Sequence, residues 1–129
     1  MKPFGGKMMK NPVVFWELAS HDQEKSVQFF IEVFEWDIKM NERLGFYVLE
    51  AGEDVPTVDG GVFTLKKAKL PFLTLYILVD DIEKKAKEVE DAGGFIVDEV
   101  QKTKGGSKIC LFNEPSGVTF AMLETKKAD

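Results

Sequence analysis

The sequence predicts an α+β fold in which one βαβββ unit occurs twice, and three observations lead there. The chain has 129 residues, 44% hydrophobic and 30% charged, enough for one domain with a complete core. It also repeats. At an offset of 59, Asp22-Gln23-Glu24-Lys25 falls on Asp81-Ile82-Glu83-Lys84, Leu18 on Ile77, Val27 on Ala86, Phe30 on Val89 and Trp36 on Phe95. Further on the offset becomes 57, placing Gly60 on Gly117, Phe63 on Phe120 and Leu65 on Met122. Within each copy, the apolar periods read as a strand, a helix and three strands. The expectation is a single domain over residues 11–125, made of repeats 13–66 and 71–124. A flexible basic leader (residues 1–10) precedes it, and a charged joint lies at 66–70.

Each element has its own justification. Residues 13–19 form a short apolar run, β-branched and aromatic, hence a strand. Ser20 or Asp22 can cap the helix that follows, whose buried face carries Val27, Phe30, Ile31 and Phe34. Strands are expected at 43–50 and 61–65, with 35–40 paired beside them, and Phe34 and Trp36 are expected to fill core. In the second copy residues 73–79 form a strand, and Asp80 with Glu83 reads as a capping box. The second helix buries Ile82, Ala86 and Val89 and stops at Gly93-Gly94. Strands follow at 95–100, 108–112 and 118–123. The glycine pairs at 60–61, 93–94 and 105–106 fit no phosphate-binding spacing and read as turns. Neither repeat alone has enough apolar area for a stable core, so the two are expected to pack together.

Composition excludes several roles. The chain has one histidine and one cysteine, so an internal disulfide is impossible and no His/Cys zinc cluster fits within one subunit. A carboxylate-rich or intersubunit metal site stays open. A net charge of −5 disfavours a nucleic-acid partner. No apolar run reaches the roughly 20 residues that cross a bilayer, so no membrane partner is expected. A cytoplasmic protein is the expectation. His21 reads as a surface turn residue, and Cys110, mid-strand, as a buried inert thiol.

Three stretches carry a resemblance. Residues 26–36 (SVQFFIEVFEW) look like the "ARFYxxVFGW" helix, and residues 79–83 (VDDIE) like the "VDDVD" start of a second helix. Residues 113–120 (NEPSGVTF) look like the "xDPxGNxF" hairpin. All three belong to the vicinal oxygen chelate superfamily, which includes glyoxalase I, bleomycin-resistance proteins, fosfomycin-resistance enzymes and extradiol dioxygenases. The resemblance spans about residues 11–125. It implies curved sheets around a central cavity, a homodimer, and a divalent metal held from the first and last strands of each unit. Carried over, those ligand positions fall at Phe15, Thr64, Thr74 and Ala121, and none is a customary ligand. The expectation is no metal and no other cofactor.

Side chains alternate along a strand. Phe15 therefore brings Glu17 into the cavity, Thr74 brings Tyr76, Thr64 brings Val62 and Ala121 brings Thr119. The other parity (Val14, Trp16, Leu18, Leu75, Ile77, Phe63, Leu65, Phe120, Met122) is expected to pack under the helices. An aromatic, hydroxylated and lightly acidic cavity suits a small organic ligand with a ring and a cationic group. Glu17 is a candidate base or counter-ion, against the plainer reading of a solvent-exposed or Lys/Arg-paired glutamate. Tyr76 is either a hydrogen-bond donor to ligand or a core tyrosine. Three functions remain open. One is metal-free sequestration of a small aromatic or cationic molecule, as bleomycin-resistance proteins sequester a drug. Another is a lyase, isomerase or epimerase using Glu17 with Tyr76 or an atypical metal site. The last is a structural or regulatory module without a ligand.

Overall fold

The computed structural model describes residues 9–126, so most of the expected leader lies outside the described residues. The first repeat folds as β1 (Val13–Ser20), α1 (Gln23–Phe34), β2 (Ile38–Asn41), β3 (Phe46–Leu49) and β4 (Asp59–Thr64). The second repeats the order as β5 (Phe72–Leu78), α2 (Ile82–Asp91), β6 (Phe95–Lys102), β7 (Lys108–Asn113) and β8 (Thr119–Glu124). The expected α+β class and twofold βαβββ order are therefore observed. Contacts sort Phe15–Thr74 into one compact unit, and Met9–Val14 with the chain from Leu75 onward into another. Met9 and Lys10, expected in the leader, thus belong to the second unit. Beside them, Pro12 O accepts from Leu78 N at 2.9 Å.

In the first unit the strand order is β2-β3-β4-β1, with β1 parallel to β4 and the other pairs antiparallel. The Asp22 carboxylate accepts from Lys25 N at 3.1 Å and caps α1. Ser20 supports the corner, its hydroxyl accepting from Asp22 N at 3.0 Å and meeting Ser26 Oγ at 2.6 Å. The ring of His21 bonds Lys69 O, which ties the same corner to the joint after β4. The core buries Val27, Ile38 and Val62 against Trp16, Leu18, Phe30, Ile31, Tyr47 and Leu49. Phe34 and Trp36 depart from expectation, standing 54% and 37% exposed. Both stay in ring contact with Phe30, at 6.3 and 4.9 Å between centroids, so they cover the outer side of the core rather than fill it.

In the second unit the order is β5-β8-β7-β6, again with one parallel pair (β5 and β8) and antiparallel neighbours. The N-cap of α2 is Asp81 rather than Asp80, its carboxylate accepting from Lys84 N at 3.1 Å. Asp81 is the repeat mate of Asp22, so both helices start alike. The core holds Val79, Ile82, Cys110, Phe112 and Met122, with Ala86 and Val89 packed from α2. Cys110 is 1% exposed, and burial, then the charges of Glu99, Asp98 and Glu90, push its thiol pKa up, which fits an inert side chain.

The β7–β8 turn is organised by one carboxylate. Glu114 accepts from the Ser116 hydroxyl, from Ser116 N at 3.1 Å and from Val118 N at 2.8 Å, while Gly117 takes φ 104°. The Ser116 hydroxyl, then the Val118 and Ser116 amides, hold the carboxyl below its ordinary value of 4.5. A lowered folded value stabilises above the unfolded pKa and loses that contribution as pH falls through the folded one. The Tm difference between wild type and Glu114→Gln is therefore expected to hold steady above about pH 5 and to close in acid. Thermal melts of both proteins from neutral to acid pH check this; a difference independent of pH contradicts it.

Candidate functional site

The backbone register decides which side chains share a face. Glu17 pairs with Gly61, Leu18 with Val62 and Ser20 with Thr64. Leu18 and Val62 belong to the core beneath α1. Thr64 lies on the same side, its hydroxyl oxygen accepting from Gln23 N at 3.2 Å and so closing the start of α1. Val62 and Thr64 therefore do not stand beside Phe15 and Glu17. The alternation places Gly61 and Phe63 on that face instead, and the expectation that Phe63 packs under the helix is corrected with it.

The cause lies in two adjacent glycines. Gly60 and Gly61 are within strand β4, not in a turn, and each makes room for aromatic rings on a different face. A Cβ on Gly60 would stand 1.8 Å from Cε2 of Trp16, beneath α1. On the opposite face a Cβ on Gly61 would lie 2.8 Å from the Phe46 ring and 3.0 Å from the Phe15 ring. Across this face the register aligns Lys39, Val48, Gly61 and Glu17 in one row. Glu17 is half-buried there, beside two phenylalanine rings that converge over a side-chain-free strand position.

In the second unit the expected parity holds. Ile77 and Met122 pair and pack in the core with α2, so Tyr76 and Ala121, also a pair, lie on the other face. Thr119 shares Ala121's parity, and its hydroxyl donates to Asn113 Oδ1 at 2.6 Å. Tyr76 and Ala121 are buried at 9% and 0% exposure; Thr74, the last residue of the first unit, is itself buried at 2%. The register also corrects the repeat. Glu17 and Tyr76 are mates, and the residues they pair with are Gly61 and Ala121, so Gly61, not Thr64, is the mate of Ala121. Phe46, Gly61 and Phe63 are the residues of this face that sequence reasoning missed. The signal was present: two glycines inside a β-branched strand mark a close approach rather than a turn.

A family model for the Glyoxalase/Bleomycin resistance protein/Dioxygenase superfamily matches residues 13–122. The chain belongs to that superfamily. No curated protein matches it by sequence. Solved structures share the superfamily fold at low identity. Methylmalonyl-CoA epimerase from Mycobacterium tuberculosis has a TM-score of 0.63 at 14% identity, covering 95% of each chain. A variant of the Streptomyces coelicolor epimerase in complex with 2-nitronate-propionyl-CoA has a TM-score of 0.60 at 16%, covering 92% of this chain and all of that one. A hypothetical protein from Bacillus halodurans has 0.61 at 15%, covering 92% and 96%. No helix among the described residues is long and apolar enough to cross a membrane.

The superfamily resemblance implies a divalent metal at positions 15, 64, 74 and 121, and the residues there do not fit one. Phe15 and Ala121 carry no donor atom, and Thr64 is turned to the helix side. Only the Thr74 hydroxyl remains, and no metal-dependent step follows from these four. A second group, Asp81, Glu83 and Glu124, brings its oxygens within 4.8 Å of one another. Its charge is already met. Lys108 Nζ lies 3.0 Å from Glu83 and 4.0 Å from Glu124, and Glu124 Oε1 accepts from Ile82 N at 2.9 Å. The hydrogen bond to Glu83, then the surrounding carboxylates against partial burial, raise the Lys108 pKa, as a structural ion-pair network does.

Proposed function

We propose that this protein binds a small organic molecule without a metal, on the face carrying Phe15, Glu17, Phe46 and Gly61. The observation that carries the reading is the half-buried Glu17 in register with Gly61, over which two rings converge. Rings supply apolar contact for an aromatic portion of the ligand, and the carboxylate supplies a counter-ion or acceptor for a cationic or N–H group. The second unit's equivalent face offers Tyr76 where the first offers Glu17, with Thr119 and Ala121 beside it on strand β8. A homodimer in the cytoplasm is part of the same proposal.

Elemental analysis of the purified protein beside a thermal-shift screen of aromatic, cationic and glutathione-conjugated compounds tests it. Saturable stabilisation without turnover is expected, weakened about tenfold by Glu17→Gln. Stoichiometric nickel, zinc, iron or manganese overturns the metal-free reading. A screen in which nothing shifts the Tm favours a structural or regulatory module.

One observation favours a second reading. The structural neighbours include methylmalonyl-CoA epimerases, and a half-buried carboxylate in a ring-lined site suits proton abstraction from carbon next to a carbonyl. Deuterium uptake from D2O into methylmalonyl-CoA, abolished by Glu17→Gln, is the result that selects the enzyme over the binder.

A further inference from the structure

The turn after α1 holds a residue in an unusual conformation. Glu35 takes φ 57° and ψ 33°, the left-handed region where glycine is at ease and a β-carbon is not. Its backbone N–H closes α1 on Ile31 O at 3.0 Å, and the chain then turns Trp36 back onto the helix. The indole of Trp36 stacks on Phe30, with centroids 4.9 Å apart and planes 7° from parallel. Phe30 thus covers one face of that indole, and 37% exposure leaves the rest accessible. Trp16 stands 5.9 Å away, tilted by 44°, its ring laid over Gly60.

These two tryptophans wall a cavity of about 350 Å³ whose lining residues all belong to the first unit. Leu49, Val55 and Val58 add apolar surface, and Glu35, Asp37 and Glu50 add three carboxylates. No lysine or arginine is among its lining residues. Asp37 meets Lys39 at 3.5 Å, but both side chains are nearly four-fifths exposed, so that pair is a weak, solvated one.

We infer that this cavity is a binding site for a small organic cation of the quaternary or methylated ammonium class. Indole faces attract a cation through the ring quadrupole, and methyl groups on the nitrogen reduce the cost of leaving water. Carboxylates at the rim add charge complementarity, in keeping with the chain's net charge of −5. The volume lies within the range of small-molecule sites. Glu35 fits the same purpose, because a carboxylate stands where glycine would relieve the backbone. The site lies on the α1 side of the first unit's sheet, and it does not depend on the ligand proposed for the Phe15–Glu17 face.

Trp16 and Trp36 are the only tryptophans in the chain, so intrinsic fluorescence reports on this cavity directly. Choline is the probe, its neutral isostere 3,3-dimethylbutan-1-ol the comparison, and sodium chloride the ionic-strength control. Choline is expected to change the emission saturably, binding about tenfold more tightly than the alcohol. Glu50→Gln and Trp36→Leu are each expected to weaken it several-fold. Glu35→Gly separates binding from folding, since it is expected to keep or raise the Tm while weakening choline. No saturable response, equal binding of the alcohol, or full choline affinity in Glu35→Gly and Trp36→Leu overturns the site. Loss of the response in Glu17→Gln alone places the cation on the other face and overturns it as well.

Discussion

Gly60→Ala is expected to destabilise the protein by about 3 kcal/mol, a large effect for a single methyl group. The added carbon would sit 1.8 Å from Cε2 and 2.2 Å from Cδ2 of Trp16. Those atoms belong to a rigid bicyclic ring rather than to the free end of a flexible chain. The ring cannot swing aside, since it packs with the core under α1 and meets Trp36 at 5.9 Å. Either β4 moves away from β1 or the indole leaves its place, and both disrupt the first unit's core. Urea denaturation of the two proteins measures the difference. An equal midpoint would mean that Trp16 does not lie over this glycine. The same substitution also bears on the organic-cation site, because it displaces one of its two walls; a parallel loss of choline response is expected.

Ile82→Ala is expected to cost about 4 kcal/mol. Ile82 is fully buried at the first turn of α2, within the cluster of Val79, Cys110, Phe112 and Met122. Removing its side chain leaves a cavity whose walls come from β-strands fixed by their own hydrogen bonds, so little collapse can fill it. Val89→Ala, at a half-buried position on the same helix, is expected to cost distinctly less. Chemical denaturation of both variants checks the ranking. Comparable losses would show that the second core relaxes around α2 rather than resisting the cavity.

Much of the fold was legible because its signals are local. Asp22 and Asp81 occupy matching places in the two repeats and cap both helices by the same bond. The 3.6-residue period of α2 marked Ile82, Ala86 and Val89 as its buried face, and they are the residues that pack. The same period misled at α1, where Phe34 continues the stripe but stands 54% exposed against Phe30 and Trp36. Matching Gly60 with Gly117 misled in another way. One glycine is in a strand to admit an indole and the other takes φ 104° in a turn, so identical residues answer different needs. That false match carried Thr64 onto Ala121 and put Val62 and Thr64 on the wrong face.

The sequence by itself determined the βαβββ order, its duplication and the lack of customary metal ligands at the superfamily's ligand positions. These follow from local period and residue type. Which of Gly61, Val62 and Thr64 faces Glu17 was decided by the tertiary structure alone. A strand's alternation survives a one-residue slip unchanged in pattern, while every side chain changes face. Only the fit of Trp16 on Gly60, and of Phe15 and Phe46 over Gly61, selects the register, and the two contacts made from β1 join residues more than forty positions apart.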